Sequence, residues 1–344
     1  MSRPSKIRSM RTLPGMQMLV VAMLCLTASI SVVYFPITKF DIHDRATGGE
    51  TGDVAQYIKM YQGVPLDDIP KPYRYRVLTP YLARLVPWLP ESVSQFYEID
   101  AEKIVKFKFG MINMLGLAAT GFLLFLLCSS LHFSAAESLL ACYMFFTSFF
   151  VVNYGGVPLV DALAYLFLVL GILSALRKWH SLLFISVGLG MFQKETCVLI
   201  LISVILLSNP IRSKLKQICL CLPGIIAYLT FRLIALPTTA GYQYSFSSAV
   251  NGILDALTPD KSWIYTAIDG GLSFGAMWLL ALHGFFLIKH EKDNPLVRLS
   301  ILIPVVMIIP FLIGSNIGRI WFLAFPVVIP LSVVSLRYLL RFKQ

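Results

Sequence analysis

Runs of about 20 apolar residues, each long enough to cross a bilayer as a helix, recur along this chain and are separated by short connectors. They lie at 16 to 38, 104 to 129, 135 to 152, 157 to 176, 217 to 236, 263 to 288, 299 to 314 and 318 to 337, with a further apolar stretch at 181 to 208. Backbone inside hydrocarbon must satisfy its own hydrogen bonds, so such runs restrict the chain to membrane helices. The composition agrees: 57% apolar residues, 14% charged and a mean hydropathy of +0.74, against about 45–50% and about 25% for soluble domains. The expected fold is all-α, a polytopic transmembrane helical bundle forming one domain over residues 1–344, without internal repeats or a linker.

The first run follows Arg3, Lys6, Arg8 and Arg11 and resembles a signal sequence. It is long enough to span and no clear A-x-A site follows it, which favours an uncleaved first helix. Cys25, Cys128, Cys142, Cys197, Cys219 and Cys221 all fall in apolar stretches without metal-ligand spacing. The formal charge of +11 does not point to nucleic acid, because 15 of the 29 basic residues flank apolar runs, which is the pattern of membrane topology.

Those flanking groups fall at 3 to 11, 177 to 178, 212 to 216, 289 to 298 and 337 to 343. Placing all of them in the cytoplasm satisfies the positive-inside rule and puts both termini there. Arg177 and Arg212 then require an even number of passes between them, so 181 to 208 is expected to be a helical hairpin with Gln193-Lys194-Glu195 at its tip. A single helix over this stretch is the competing reading, and it would send one basic connector outside. The first loop, 39 to 103, then faces the extracytoplasmic side together with Asn153 to Pro158, the hairpin tip, 237 to 262 and Ser315 to Arg319.

Residues 39 to 108 hold 10 of the 18 acidic residues and 10 of the 29 basic ones. Val54, Tyr57, Ile58 and Tyr61 recur at helical spacing behind Asp53, and Leu78, Tyr81, Leu82 and Leu85 do so after Pro72 to Pro80, predicting two amphipathic helices at the membrane surface. Asp53 is either an N-cap or a carboxylate able to take a proton from an incoming hydroxyl. Lys71, Arg74 and Arg76 lie among aromatic rings and suit phosphate recognition, since a guanidinium fork matches phosphate oxygens. Snorkelling or lipid-headgroup contact is the alternative, and it is preferred for Lys103, Lys106 and Lys108. Within the apolar spans Asp161, the Lys194-Glu195 pair, Arg232 and Arg319 are functional suspects, because charge there costs roughly 2.5–3.5 kcal/mol on insertion scales. Local roles compete with that reading: Lys194 and Glu195 neutralising each other, Arg319 opening its helix. Asp41, His43, Asp44 and Glu50 are a candidate set for a divalent cation, but their spacing matches no specific site and solvated loop charge is the preferred account. No Walker or Rossmann glycine pattern occurs, so no nucleotide cofactor is expected.

These motifs resemble the GT-C superfamily of integral-membrane glycosyltransferases, in particular the bacterial branch related to mannosyltransferases and aminoarabinose transferases. Gly52-Asp53-Val-Ala-Gln-Tyr57 looks like the family's first-loop acid with its following helix, and Tyr73-Arg-Tyr-Arg76-Val-Leu-Thr-Pro80 like its R-x-x-x-P element. Gly155-Gly-Val-Pro158-Leu-Val-Asp161, Gly190-Met-Phe-Gln-Lys194-Glu195 and Gly318-Arg319 resemble later elements, in the family's order and on one expected face. The resemblance implies a GT-C-like bundle in the bacterial inner (plasma) membrane. It also implies a polyprenyl-phosphate sugar donor and a lipid or glycan acceptor used on the extracytoplasmic face, in cell-envelope assembly. It makes Asp53 the expected base, with Asp44 and Asp41 as runners-up. Arg74, Arg76, Lys194 and Arg319 become phosphate-binding candidates, with Asp161 and Glu195 at the same substrate site. Many relatives carry two adjacent first-loop acids, whereas Val54 follows Asp53 here, which leaves the identity of the base open. A lipid-saccharide transporter or flippase and a non-catalytic envelope-assembly protein are the competing classes. The missing internal repeat speaks against a transporter.

Overall fold

The computed structural model describes residues 15–39, 52–87, 101–236, 261–313 and 317–341. Among them every regular element is helical. The first pass is α1 (Gly15–Lys39). Two short helices follow, α2 (Asp53–Gln62) and α3 (Leu78–Leu85). Next come α4 (Ala101–Ser130), α5 (Ala135–Phe146), α6 (Phe149–Tyr154) and α7 (Asp161–Arg177). The middle of the chain holds α8 (His180–Gln193), α9 (Leu199–Leu207) and α10 (Ile211–Thr230), the last continuing into a π-turn at Phe231–Ala235. The remainder is α11 (Lys261–Phe274), α12 (Met277–Ile288), α13 (Pro295–Leu299), α14 (Leu302–Ile313), α15 (Ile317–Trp321) and α16 (Phe325–Arg341).

Among the described residues four helical stretches are long and apolar enough to cross a membrane, Gly15–Tyr34, Ala101–Ser130, Ile211–Ala235 and Ile317–Leu340. The chain is therefore an integral membrane protein. A fifth span arises if α11 and α12 count as one pass, but they are bent by 66°. The continuous run at 263 to 288 predicts a single helix there; Gly275, at φ +52°, breaks it, and glycine takes that conformation without steric penalty. The run at 135 to 152 is likewise divided. Thr147 Oγ1 donates to the Tyr143 carbonyl at 2.8 Å and Ser148 Oγ to that of Phe145 at 2.6 Å, so hydroxyls add a second bond to carbonyls that the last backbone amides of α5 already hold at the break.

Helix ends at one pole of the bundle are tied by polar side chains. Ser134 and Glu137 form a capping box at the start of α5, and the same Glu137 accepts from Arg337 Nη2 of α16 at 2.8 Å. Arg177 Nε donates to Ser130 Oγ at 2.8 Å, which brings the end of α7 to the end of α4. Gln217 of α10 bonds both the Ala175 carbonyl and Ser208, so the chain after α9 has returned to the pole where α7 ends. Basic residues predicted to flank the passes thus gather at one pole.

At the opposite pole lie α2, α3, the turn before Asp161 and the break at Lys194 between α8 and α9. Gly63, at φ +96°, stops α2 and donates to the Lys59 and Met60 carbonyls, a left-handed cap that glycine adopts readily. One side of α2 buries Val54, Tyr57, Ile58 and Met60 against the protein. The other short helix behaves differently. The face of α3 that packs inward carries Thr79, Pro80 and Ala83, while Tyr81 and Leu85 are exposed. Beside a bilayer, an apolar face turned outward meets lipid instead of water and incurs no hydrophobic penalty.

Candidate functional site

Six ionisable side chains predicted from scattered sequence positions meet at this second pole. Arg319, at the centre of α15, donates through Nη1 to Asp53 Oδ2 at 2.7 Å and through Nη2 to Asp161 Oδ2 at 2.5 Å. The other oxygen of Asp161 accepts from Lys194 Nζ at 2.5 Å. Beside this chain, Arg76 engages both oxygens of Glu195, Nε reaching Oε2 at 2.9 Å, and its Nη1 donates to the Tyr57 hydroxyl at 3.2 Å. Three carboxylates thus face three cations, and the network carries no formal net charge. Lys194 and Glu195 do not neutralise each other as neighbours; each reaches a different element.

Local structure explains why these groups converge. Gly52 is the N-cap of α2 and contributes no side-chain bond, so Asp53 occupies the first helical position with its carboxylate directed across to Arg319. The capping role open to Asp53 in the sequence is therefore not the one it has. Gln193, fully buried, holds α3 to the Lys194 break: its Oε1 accepts from the Thr79 amide at 3.1 Å, and its Nε2 donates to Thr79 Oγ1 at 2.7 Å and to the Val160 carbonyl. Asn113 Nδ2 on α4 donates to the Val157 carbonyl at 2.7 Å, fixing the turn that leads to Asp161. Asp269, a residue that sequence reasoning passed over, accepts from the Gly318 amide at 2.8 Å and so orients the backbone beside Arg319. It is an acid inside an apolar span, and the criterion that singled out Asp161 applies to it equally.

A dry aromatic floor underlies the network. Phe322, three residues after Arg319, lies 5.3 Å from Tyr165, four residues after Asp161, and Phe145 lies 5.0 Å from Phe325. These rings are buried, and the low local dielectric they provide strengthens each Coulomb interaction. Burial raises the Asp53 carboxyl, but the Arg319 guanidinium and its hydrogen bond, aided by Arg76, outweigh it and hold the group below its usual range. Tyr73 is pushed up to about 12 by burial and by its hydrogen bond with the Asp53 carboxylate. Asp53 is consequently an ionised acceptor with one strong cation at its side.

Arg74 lies outside this network. Its Nη2 donates to the Tyr75 hydroxyl and to the Leu236 carbonyl, each at 3.2 Å. Of the lysines at the start of α4, Lys106 pairs with Glu102 one turn away and Lys108 lies over the Tyr61 ring. Asp41 and Asp44, the other acids considered as the base, lie outside the described residues, as do His43 and Glu50. Among the described residues no three His, Cys, Asp or Glu side chains cluster in a way that would hold a metal ion.

No protein-family model matches the chain, and no curated protein matches it in sequence. In structure it is similar to the apo-form oligosaccharyltransferase of Archaeoglobus fulgidus, with 11% identity and a TM-score of 0.51 over 95% of this chain and 51% of that one. This chain therefore spans about half the length of that protein. At such identity the likeness carries the fold and not a branch or an activity: the bundle is GT-C-like, with amphipathic helices in the loop after the first pass.

Proposed function

We propose that this protein is a membrane glycosyltransferase that moves a sugar from a polyprenyl-phosphate donor to an acceptor hydroxyl on a lipid or glycan. The reaction takes place at the extracytoplasmic face of the bacterial inner membrane, with both termini in the cytoplasm. The observation that carries this reading is the bridge from Asp53 through Arg319 to Asp161 and Lys194, which joins the first loop to three later parts of a GT-C-like bundle.

In this reading Asp53 is the general base. Held ionised by Arg319, it is a weak base while paired. A donor phosphate that draws Arg319 toward itself frees the carboxylate and raises its basicity as the site fills. The acceptor oxygen then forms a bond to the anomeric carbon as the bond from that carbon to the phosphate oxygen breaks. The hydroxyl proton passes to Asp53, and the polyprenyl phosphate leaves with the bonding electrons. Attack opposite the leaving group inverts the anomeric centre. Arg319 and Lys194 stabilise charge developing on the phosphate. Asp161 holds both cations in place, and Glu195 does the same for Arg76. Lipid extracts of a deletion strain test the assignment: the donor sugar linked to polyprenyl phosphate should accumulate while the acceptor remains unglycosylated. Accumulation of the finished glycolipid on the cytoplasmic side instead would identify a flippase.

A further inference from the structure

Arg319 sits on a helix too short to place itself. With five residues, α15 is well below the length at which a helix holds its own shape, and its first amides have no carbonyl one turn back within the helix. Asp269 of α11 supplies what is missing: its Oδ2 accepts from the Gly318 amide at 2.8 Å. A bond from an amide to an ionised carboxylate is roughly twice as strong as one between neutral groups. A methyl on Gly318 would lie 2.8 Å from the other carboxylate oxygen, Oδ1, and 2.5 Å from the Asp269 carbonyl oxygen. The Asp269 side chain thus fills the space that a side chain on residue 318 would need, and the close approach depends on glycine.

The break at Gly275 brings the two segments together. With α11 and α12 bent by 66°, α11 lies against α15. Gly270 faces the Trp321 ring, which any side chain at that position would strike. Phe274, just before the break, stacks on Phe322 at 5.2 Å, and Trp278, just after it, meets Trp321 edge-on at 6.1 Å. Trp278 Nε1 also donates to the Gly270 carbonyl and Trp321 Nε1 to that of Met307, both at 3.1 Å. Both sides of the bend therefore grip α15, and Asp269 is the polar contact next to Arg319. Tyr154 lies within electrostatic reach of Asp269, Arg319 and Asp161, so Asp269 borders the network while making no ion pair among the described residues.

We propose that Asp269 is a positioning residue for sugar transfer: it pins the backbone of α15 at Gly318, so that Arg319 passes between Asp53 and the donor phosphate by rotation of its side chain alone. The proposal rests on the glycosyltransferase reading for the step it serves. A backbone free to shift would let Arg319 settle on Asp161, its more buried partner, and miss the phosphate. Misplacement by about 1 Å costs on the order of 100-fold in rate.

Two substitutions separate position from charge. Asp269→Asn removes the charge and keeps an acceptor oxygen in place, whereas Asp269→Glu keeps the charge but has no room for its extra methylene against Gly318. Sugar transfer is measured in proteoliposomes supplied with lipid extracts of a deletion strain. At saturating extract, Asp269→Asn should stay within about five-fold of the parental rate, and Asp269→Glu should fall by about 10- to 100-fold. The extract concentration giving half the maximal rate should not change in either, because Asp269 touches no substrate. Gly318→Ala, which displaces the same carboxylate from the other side, should reproduce the effect of Asp269→Glu and takes its place should that variant not fold.

A second readout is independent of transfer. The infrared band of the protonated Asp53 carboxyl, identified by its absence in Asp53→Asn, is titrated in nanodiscs; Arg319, Arg76, Asp161, Tyr57 and Tyr73 face this group. Its midpoint should rise by about one pH unit in Asp269→Glu, where Arg319 recedes from Asp53, and should not rise in Asp269→Asn. A rate lost in Asp269→Asn but kept in Asp269→Glu would overturn the proposal, since charge and not position would then matter. A raised midpoint in Asp269→Glu without transfer by the parent would sink the enzyme reading alone. Transfer by the parent with rate and midpoint unchanged in Asp269→Glu would sink the positioning role alone.

Discussion

Replacing Arg319 by glutamine removes one cation from two carboxylates at once, and the structure assigns the two losses different sizes. The Asp161 side chain is 8% exposed, whereas that of Asp53 is 25% exposed. Breaking a buried ion pair by deleting one partner costs roughly 3–5 kcal/mol, because the remaining charge cannot regain its hydration. Asp53 is open enough to rehydrate, so its share should approach the about 0–1 kcal/mol typical of accessible pairs. Double-mutant cycles separate the two terms. The cycle of Arg319→Gln with Asp161→Asn should give a coupling of about 2–4 kcal/mol, and that of Arg319→Gln with Asp53→Asn about 1 kcal/mol or less. Asp161 retains Lys194 in the first cycle, which keeps the coupling below the full cost of an orphaned charge. The assay is equilibrium unfolding of the full chain in mixed micelles titrated with sodium dodecyl sulfate, read by tryptophan fluorescence. A coupling to Asp53 equal to or larger than that to Asp161 would refute the view that Asp161 anchors Arg319 while Asp53 remains the displaceable partner.

Three further outcomes follow from the same geometry. The Asp53 carboxyl is held below its ordinary range, so the stability it contributes is fully present above its unfolded value of about 3.9 and is lost as pH falls through the lower folded value. The difference in unfolding free energy between the parent and Asp53→Asn should therefore stay constant between about pH 5 and pH 8 and shrink as the pH falls below about 4; a difference that changes between about pH 5 and pH 8 would contradict the pairing. In Gly318→Ala the new methyl would lie 2.5 Å from the Asp269 carbonyl oxygen and from Phe150 Cζ. The variant should lose about 1–3 kcal/mol of stability, with Arg319 displaced, and unfolding identical to the parent would show that the backbone there is not confined. A periplasmic alkaline phosphatase fusion after Lys194 should be active, and an inactive but well-expressed fusion would place the network on the cytoplasmic side.

Much of the bundle was legible because hydrocarbon imposes a simple rule: a run of about 20 apolar residues has one backbone solution. Breaks within the runs were not, since Gly275 and the Thr147-Ser148 pair sit inside stretches whose hydropathy never falls far enough to signal them. Which side of α3 packs inward was hidden for a related reason: Leu78, Tyr81, Leu82 and Leu85 mark an apolar stripe, but a stripe does not say whether protein or lipid receives it. In the candidate site, the cost of intramembrane charge made Asp161, Lys194, Glu195 and Arg319 visible one at a time. Which acid meets which cation was hidden, because the pairs join residues 119, 33, 266 and 158 positions apart. Asp269 carries the same cost inside the run 263 to 288, but its partner, the Gly318 amide, leaves no mark in composition.

The central claim is that the Asp53 carboxylate accepts the acceptor's proton. The most direct measurement is sugar transfer in proteoliposomes, with lipid extracts of the deletion strain supplying donor and acceptor and with parent protein and Asp53→Asn compared at equal reconstituted amounts. The account predicts native-like unfolding of Asp53→Asn and a fall in transfer of about 100-fold or more, in the range attributed to a general base. Transfer by Asp53→Asn at the parental rate would contradict it.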